Sequence, residues 1–427
     1  MSFGRFREPL AHWIGQRFFF GWVMLVVAAL GIFVSGAGQS HTFSVFIGPI
    51  GDDLGLSETY IASAYGFATL GAAFCLPLMG RMVDRQGARR MLLIVTLCLG
   101  LACFAFGAAG GVVWLALGFA ALRFLGQGSL MMICTNLVSQ WFARNRGFAI
   151  SMMTLGFSVS MAIHPAVSQW LIEWLGWRQA WVWLGITTWA LLLPPVLFLV
   201  LNRPADIGLL PDGAAAPKPV PEGATLAARA ARTDASLTLN QALRGPAFYI
   251  VATGLCLMSM MITALHFFQV SIFATHDLDA GIASRVFAVS AITMVVSMPL
   301  IGRMLDRVPT HFMFAAGLLI VGCALAGATL VDGLLTAIVY AMVFGLGNAF
   351  TITLYGFMWP RYFGLKHLGS IMGVGQMIGV VGASLGPLPL GVANDWLGGY
   401  DPMLIGMATV PALWAIVALF LREPKAE

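Results

Sequence analysis

The sequence predicts an all-α integral membrane protein with twelve transmembrane helices, arranged as two parallel six-helix repeats. Its composition, the distribution of its basic residues and an internal repeat lead to this fold class. Of 427 residues, 59% are hydrophobic and only 10% are charged, whereas a soluble domain carries about 25% charged residues. With so few charges, a soluble fold of this size could not cover its surface.

The apolar segments have the length of bilayer-spanning helices, which need about 20 residues each. We predict such helices at 19–47, 58–80, 90–109, 112–138, 147–172, 178–201, 247–274, 281–302, 311–331, 333–358, 368–393 and 400–421. The longest connection, 202–245, is rich in proline and then in alanine and arginine. It predicts a cytoplasmic linker between an N-terminal bundle (1–201) and a C-terminal bundle (246–427).

Basic residues distinguish the two sides of this predicted topology. With the N-terminus inside, 20 of the 23 basic residues fall in cytoplasmic segments. Arg178 and Arg285 lie at the outer face, and Arg123 lies within a span. Cytoplasmic segments of membrane proteins are enriched in Lys and Arg, so we expect a multi-pass cell-membrane protein with both termini in the cytoplasm.

The two halves repeat one another. The segment from Gly80 to Arg85 (GRMVDR) recurs as Gly302 to Arg307 (GRMLDR), at an offset of 222. Two further pairs recur at an offset of 221, namely Phe142 with Phe363 and Gly126 with Gly347. An even number of helices per repeat gives both repeats the same orientation, as in parallel transporter repeats.

The segment after the second predicted helix, GRMVDRQGARR (Gly80 to Arg90), resembles the loop signature of the major facilitator superfamily. The segment Arg123 to Gly128 (RFLGQG) resembles the signature of its fourth helix. The glycine of the turn lets two helix ends approach closely, and its aspartate can pair with basic residues or cap a neighbouring helix. We therefore predict a conformational latch made of Gly80, Asp84, Arg85, Arg89, Arg90, Gly302, Asp306 and Arg307.

Other segments resemble the bacterial monocarboxylate and oxalate–formate transporters of that superfamily. They are Trp141 to Ala149, Gly176 to Arg178 and Arg203 to Gly213. The resemblance implies a carboxylate substrate and a bacterial inner membrane. The chain departs from this branch at 293–301, which carries no charge where the branch commonly has an arginine.

Four ionisable residues stand out inside the predicted spans, where such groups are costly and often functional. Arg123 is a candidate for neutralising an anionic substrate or coupling to a proton step; a structural role in binding backbone carbonyls is the alternative. His41, His164 and His266 are candidate proton carriers or substrate hydrogen-bond donors; isolated histidines bonded between helices are the alternative.

Uncharged polar residues in the spans form a second set of candidates for binding substrate. They are Gln39, Gln269, Asn348 and Tyr355, on helices that line the central cavity of the superfamily as the resemblance implies. Polar groups that only join helices are equally consistent with the pattern.

These observations favour a secondary active transporter of a small organic solute, with a carboxylate metabolite and proton coupling as the specific hypothesis. Exchange of solutes, a non-carboxylate substrate and a transporter-like sensor are the alternatives. The sequence has no phosphate-binding Gly-x-x-x-x-Gly-Lys-Ser/Thr loop, no metal or nucleophile cluster and no basic face for nucleic acid. We therefore expect no enzyme, cofactor, metal or nucleic-acid partner, and a monomer in the lipid bilayer.

Overall fold

The computed structural model describes residues 18–43, 45–56, 58–213, 236–276, 278, 280–386, 388–390, 393 and 399–422. The middle of the predicted linker, 214–235, lies outside the described residues. So do Arg5, Arg7, Arg17, Lys218, Arg229, Arg232 and Lys425, all of which the predicted topology places on the cytoplasmic side.

The described part of the chain is helical and contains no strand. Eleven of its helices are long and apolar enough to cross a membrane. One of these, Arg146–Phe198, has 53 residues and would extend for about 80 Å if it were straight. Its backbone leaves helical geometry at Gly176, with φ 78° and ψ 161°, which a residue without a Cβ adopts readily. The run is therefore two spans, and twelve spans result.

We number the spans α1 to α12. They are α1 (Gly21–Gly38), α2 (Glu58–Gln86), α3 (Ala88–Gly107), α4 (Val112–Trp141), α5 (146–175), α6 (177–198), α7 (Pro246–Thr275), α8 (Ala280–Leu305), α9 (Thr310–Ala328), α10 (Leu334–Phe363), α11 (Leu368–Leu385) and α12 (Asp401–Leu419). Shorter helical segments are Ser40–Phe43, Ile47–Leu54, Pro204–Ile207, Pro211–Gly213 and Leu239–Arg244.

The outside of the bundle is apolar, as the lipid-facing surface of a membrane protein must be. Large side chains that are about three-quarters exposed occur on several helices, including Phe67, Val113, Trp174 and Leu335. Soluble monomers rarely expose so many large apolar side chains. Hydrocarbon therefore suits this surface better than water.

The prediction of one continuous first helix over 19–47 is wrong. The α-helix ends at Val34, the segment Ser35–Gly38 is a 3₁₀-helix, and Gln39 is extended with φ −100° and ψ 151°. The reason is tertiary packing: a Cβ on Gly38 would collide with the backbone carbonyl of Leu122 in α4. The chain turns at this point because two backbones meet there.

Both predicted latch segments lie at one end of the bundle. The prediction that they are turns after helices ending at 80 and 302 is wrong, because α2 continues through Gly80 to Gln86 and α8 continues to Leu305. This end also carries the linker residue Asp212, whose carboxylate accepts from the N–H groups of Ala143 and Arg144 at 2.9 and 2.6 Å. We call it the linker side and the opposite end the far side. Here α2 packs on α11, and α5 packs on α8.

Glycine pairs bring the two halves into backbone contact at the linker side. A Cβ on Gly80 would strike the carbonyl oxygen of Gly369, and a Cβ on Gly302 would approach the carbonyl oxygen of Gly147 to 2.6 Å. The two pairs are related by the repeat offset of 222. Each seam between the halves therefore depends on having no side chain at these positions.

We expect Gly80→Ala to destabilise the closed linker side, because the added methyl group meets backbone and cannot be accommodated by a rotamer change. Overpacking of this kind costs about 1–3 kcal/mol. Thermal unfolding in detergent should show a midpoint lowered by several degrees. Gly406→Ala is the matched control, since a Cβ there has no neighbour within 4 Å; an equal shift in both variants would contradict the argument.

Candidate functional site

Arg123 lies at the point where α1 breaks. One of its terminal nitrogens, Nη1, donates to the carbonyl oxygen of Gly38 and to Oγ of Ser40, both at 3.3 Å. The guanidinium carbon lies 5.2 Å from the ring centroid of Tyr65. The side chain is only 6% exposed, and among the described residues no carboxylate is within ion-pair distance of it.

The helix that carries Arg123 is itself irregular. From Arg123 to Leu130, α4 is a π-helix, a feature that is frequent at functional sites. A Cβ on Gly126 would lie 2.8 Å from Cα of Gly38, so the π-helix and the break in α1 fit against one another. Nε of Arg123 is buried and finds no hydrogen-bond partner among the described residues.

Two of the predicted histidines meet through a serine. Oγ of Ser160 in α5 lies 3.1 Å from Nδ1 of His164 and 3.4 Å from Nε2 of His41. The two imidazole rings are 6.5 Å apart. A hydroxyl can accept from one ring nitrogen and donate to another, so Ser160 can relay a proton between them.

The third histidine comes from the other half of the molecule. Nδ1 of His266 in α7 lies 2.9 Å from the carbonyl oxygen of Ile262, so this nitrogen must donate and Nε2 carries the lone pair when the ring is neutral. The ring packs on Phe344 at 4.8 Å. His41 is close enough to interact electrostatically with His266 as well as with His164 and Arg123. The structure thus brings all four predicted ionisable residues toward one region.

The uncharged candidates occupy different surroundings. Gln39 donates to Oγ of Ser35 at 3.3 Å and lies at the break in α1. Asn348 donates to a carbonyl of its own helix, that of Phe344, at 3.0 Å. These two amides are buried, and Gln39 lies in sequence between the two residues that Arg123 contacts.

Gln269 and Tyr355 are the remaining uncharged candidates. The Tyr340 hydroxyl is 3.5 Å from Oε1 of Gln269, and the Nε2 donor of this fully buried glutamine finds no partner among the described residues. The Tyr355 hydroxyl lies over Gly379 of α11, where a Cβ would overlap it. Tyr355 therefore packs between α10 and α11, while Gln269 offers an unused donor.

The latch aspartates bind helix N-termini across the interface between the halves. The carboxylate of Asp84 accepts from the N–H groups of Gly369 and Ser370, both at 2.7 Å, and from the Ser370 hydroxyl. The carboxylate of Asp306 accepts from the N–H groups of Gly147 and Phe148, at 2.7 and 2.9 Å. An anion at a helix N-terminus satisfies the first N–H groups and the helix dipole.

The basic residues of the predicted latch have other environments. Arg85 and Arg90 are exposed and make no ion pair with any described residue. The backbone N–H of Arg89 donates to Asn202 at 2.9 Å. The sequence left two roles open for Asp84, an ion pair with basic residues or the capping of a neighbouring helix. The structure shows the cap.

The two latches differ although they occupy equivalent positions. Ser370 adds a hydroxyl to the Asp84 contact, whereas Phe148 at the other seam packs under the Arg303 guanidinium, 4.8 Å from ring centroid to guanidinium carbon. Burial raises the pKa of Asp306 above its usual range, and the N–H groups of Phe148 and Gly147 partly oppose this shift. Asp306 is therefore protonated at a higher pH than an ordinary carboxylate, and acid weakens its contact with the helix N-terminus.

A profile of the major facilitator superfamily matches residues 28–387 and 267–427, nearly the whole chain. The chain belongs to the major facilitator superfamily. It is a multi-pass membrane transporter and not an enzyme.

Individual relatives of this superfamily member agree with that assignment. A gallate transporter of Pseudomonas putida is 28% identical over 45% of this chain and 43% of its own length. Monocarboxylate transporter 6 of Mus musculus is 24% identical over 63% of this chain and 58% of its own. The chain thus matches less than two thirds of the length of either relative.

A solved structure confirms the fold. The human organic anion transporter MFSD10 superposes with a TM-score of 0.70 at 14% identity, over 94% of this chain and 99% of that protein. At this identity the likeness concerns the fold of the superfamily member alone.

Several residues of the site were not predicted from the sequence. Ser160, Ser40 and Tyr65 are ordinary residue types within or beside apolar segments, and only their neighbours in the fold make them part of the cluster. The helix N-termini at Gly147 and Gly369 could have been found, because they are separated by the same offset of 222 as the latch aspartates.

We expect Asp306→Asn to open the linker side, because the amide places a donor against the N–H groups that the carboxylate accepts from. Loss of a charged hydrogen bond costs about 1.5–3 kcal/mol, or roughly 10- to 150-fold in the opening equilibrium. The measurement is the rate at which a maleimide labels Ser151→Cys, a buried position against Gly302. Asp332→Asn should leave the rate unchanged, because among the described residues this carboxylate accepts a hydrogen bond from its neighbour Thr336 alone. No increase with Asp306→Asn would refute the latch.

Proposed function

We propose that this transporter carries small organic anions with a carboxylate group, by alternating access and with proton coupling. The observation that carries the proposal is Arg123, a buried cation that meets dipoles and a ring but no carboxylate among the described residues. An uncompensated charge in the membrane interior is costly. A substrate anion would supply the missing countercharge.

The geometry around Arg123 supports a carboxylate in particular. A guanidinium has five N–H donors in a fixed fork that matches a carboxylate. Nη1 is occupied by the carbonyl of Gly38 and by Ser40, while Nε has no partner among the described residues. A cavity of about 10 Å³ beside Arg123 has room for about one water molecule, so the site must widen before it accepts a substrate.

The serine-linked histidines support proton coupling. His41 and His164 share Ser160, and His41 interacts electrostatically with Arg123 and His266. Imidazoles exchange protons near neutral pH. An anion bound at Arg123 would favour protonated imidazole nearby, because opposite charges attract, so anion and proton would bind together.

Alternating access is supported by the contacts at the linker side. The structure is closed there by the glycine pairs and the two aspartate caps. Rocking of the bundles 1–201 and 246–427 against each other, as in parallel-repeat transporters, must break these caps to open that side. The hydrogen-bond set at each seam is small enough to break and reform reversibly.

The distribution of basic residues supports an orientation. We place the linker side and both termini in the cytoplasm of a bacterium, with the protein in the inner membrane, because the predicted topology assigns 20 of the 23 basic residues to that side.

Transport by reconstituted protein tests the anion proposal. We expect counterflow of a carboxylate such as gallate or benzoate in proteoliposomes, and no counterflow of pyrogallol, which lacks only the carboxylate of gallate. Arg123→Ala should lower the rate on the order of 100-fold, since truncating one partner of a buried charge pair costs about 2–5 kcal/mol. Arg123→Lys should keep part of the rate. Full transport by a correctly inserted Arg123→Ala protein would exclude the role proposed for this residue.

The pH profile of uptake tests the coupling separately. Wild-type uptake driven by a proton gradient should decline as external pH rises through the range in which imidazole loses its proton, because the protonated carrier binds the anion. We expect His164→Gln and His41→Gln to abolish gradient-driven accumulation while counterflow continues. His276→Gln, at the far side beside Asp401, is the control. If gradient-driven accumulation persists with the same pH profile in both cluster variants, these two histidines do not carry the coupled proton. If the wild-type protein shows counterflow but no accumulation under a proton gradient, exchange without protons replaces symport.

A further inference from the structure

A cavity of about 660 Å³ opens at the linker side, away from Arg123. It lies among the turn before α5, the turn between α8 and α9, and the ends of α10 and α12. Its lining includes one histidine, His311, and the charged residues Arg144, Arg146, Asp306, Arg307, Arg361 and Arg422. Five guanidinium groups thus surround one cavity that contains a single carboxylate among the described residues.

That single carboxylate can balance only one of the five positive charges, and it interacts electrostatically with Arg146. Both oxygens of Asp306 are occupied by the backbone N–H groups of Gly147 and Phe148. Arg144, Arg307 and Arg422 form no ion pair with any residue that the structure describes. Like charges gathered in one concave site repel each other, and clefts lined by one sign of charge concentrate ions of the opposite sign.

Hydrogen bonds to the backbone hold one of these arginines, Arg146, in place. The Arg146 side chain donates from Nε to the carbonyl of Phe142 at 3.0 Å and from Nη1 to the carbonyl of Pro360 at 3.4 Å. It therefore joins the N-terminal half to α10 and holds its positive charge at the cavity wall. Bidentate recognition by arginine suits phosphate oxygens particularly well.

We propose that this cavity binds a phosphate-class anion, either the headgroup of an anionic phospholipid or a soluble phosphate. The cavity is at the level of the helix ends, where lipid headgroups lie, and basic pockets between transmembrane helices bind such headgroups. Its volume is that of a small-ligand site. Because Arg144 and Arg146 come from one half and the other arginines from the second, a bound anion bridges the halves where alternating access separates them.

The test measures thermal unfolding of the full chain in neutral detergent. Cardiolipin is compared with phosphatidylcholine for the lipid source, and pyrophosphate with sodium chloride of equal ionic strength for the soluble source. We expect at least one of the two anions to raise the midpoint by several degrees beyond its control. Stabilisation by cardiolipin alone, by pyrophosphate alone or by both identifies the source.

Two double variants decide whether the cavity is the site. Arg144→Gln with Arg422→Gln removes one charge from each half of the lining and should weaken anion binding at least tenfold. Arg244→Gln with Lys366→Gln removes two exposed charges from the same side outside the cavity and should leave binding unchanged. Should the first double variant fail to fold, Arg422→Gln alone should weaken binding at least threefold.

The proposal is overturned if neither anion stabilises the protein beyond its control, or if both double variants lose binding equally. The measurement reads binding and not transport, so its result is independent of the carboxylate proposal.

Discussion

Inside a bilayer a charge or a polar backbone group has to be compensated by the protein itself, because no water is available. This constraint explains the most irregular part of the molecule. Arg123 needs acceptors, and the break in α1 supplies the carbonyl of Gly38 and the hydroxyl of Ser40. The break in turn leaves a carbonyl at Gly36, which accepts from Thr42 at 2.6 Å. The break in α1 gives the buried cation its acceptors, and the cation in turn binds a carbonyl at the break.

The same constraint shapes the interface between the halves. Glycine pairs allow the seams to close to backbone contact, and each seam then uses the exposed N–H groups of a helix start to bind an aspartate from the other half. No long ionic side chain has to be immobilised for this contact. Such an arrangement suits an interface that opens during transport, because breaking it exposes helix ends and carboxylates that water can solvate.

The internal repeat extends to the residues that shape the interface but not to the charged residue of the candidate site. The equivalent positions around the latches retain glycine and aspartate in both halves, as the shared mechanics of two bundles require. The position equivalent to Arg123 is Phe344, and its ring packs against His266. Gly126 touches the backbone of α1, whereas a Cβ on its counterpart Gly347 would have no neighbour closer than 3.4 Å. The two halves thus share a framework, while the charge belongs to one of them.

The sequence by itself determined the membrane class, the number of spans, the repeat and the four ionisable candidates, because hydrophobic length and charge placement are properties of residues along the chain. It could also indicate that Asp84 and Asp306 act alike. Only the tertiary structure decided that α1 breaks at Gln39, that Ser160 links His41 to His164, that the aspartates bind helix starts instead of arginines, and that arginines from both halves surround one cavity. These features depend on which backbones approach one another, and residues far apart in sequence carry no local signal of that approach.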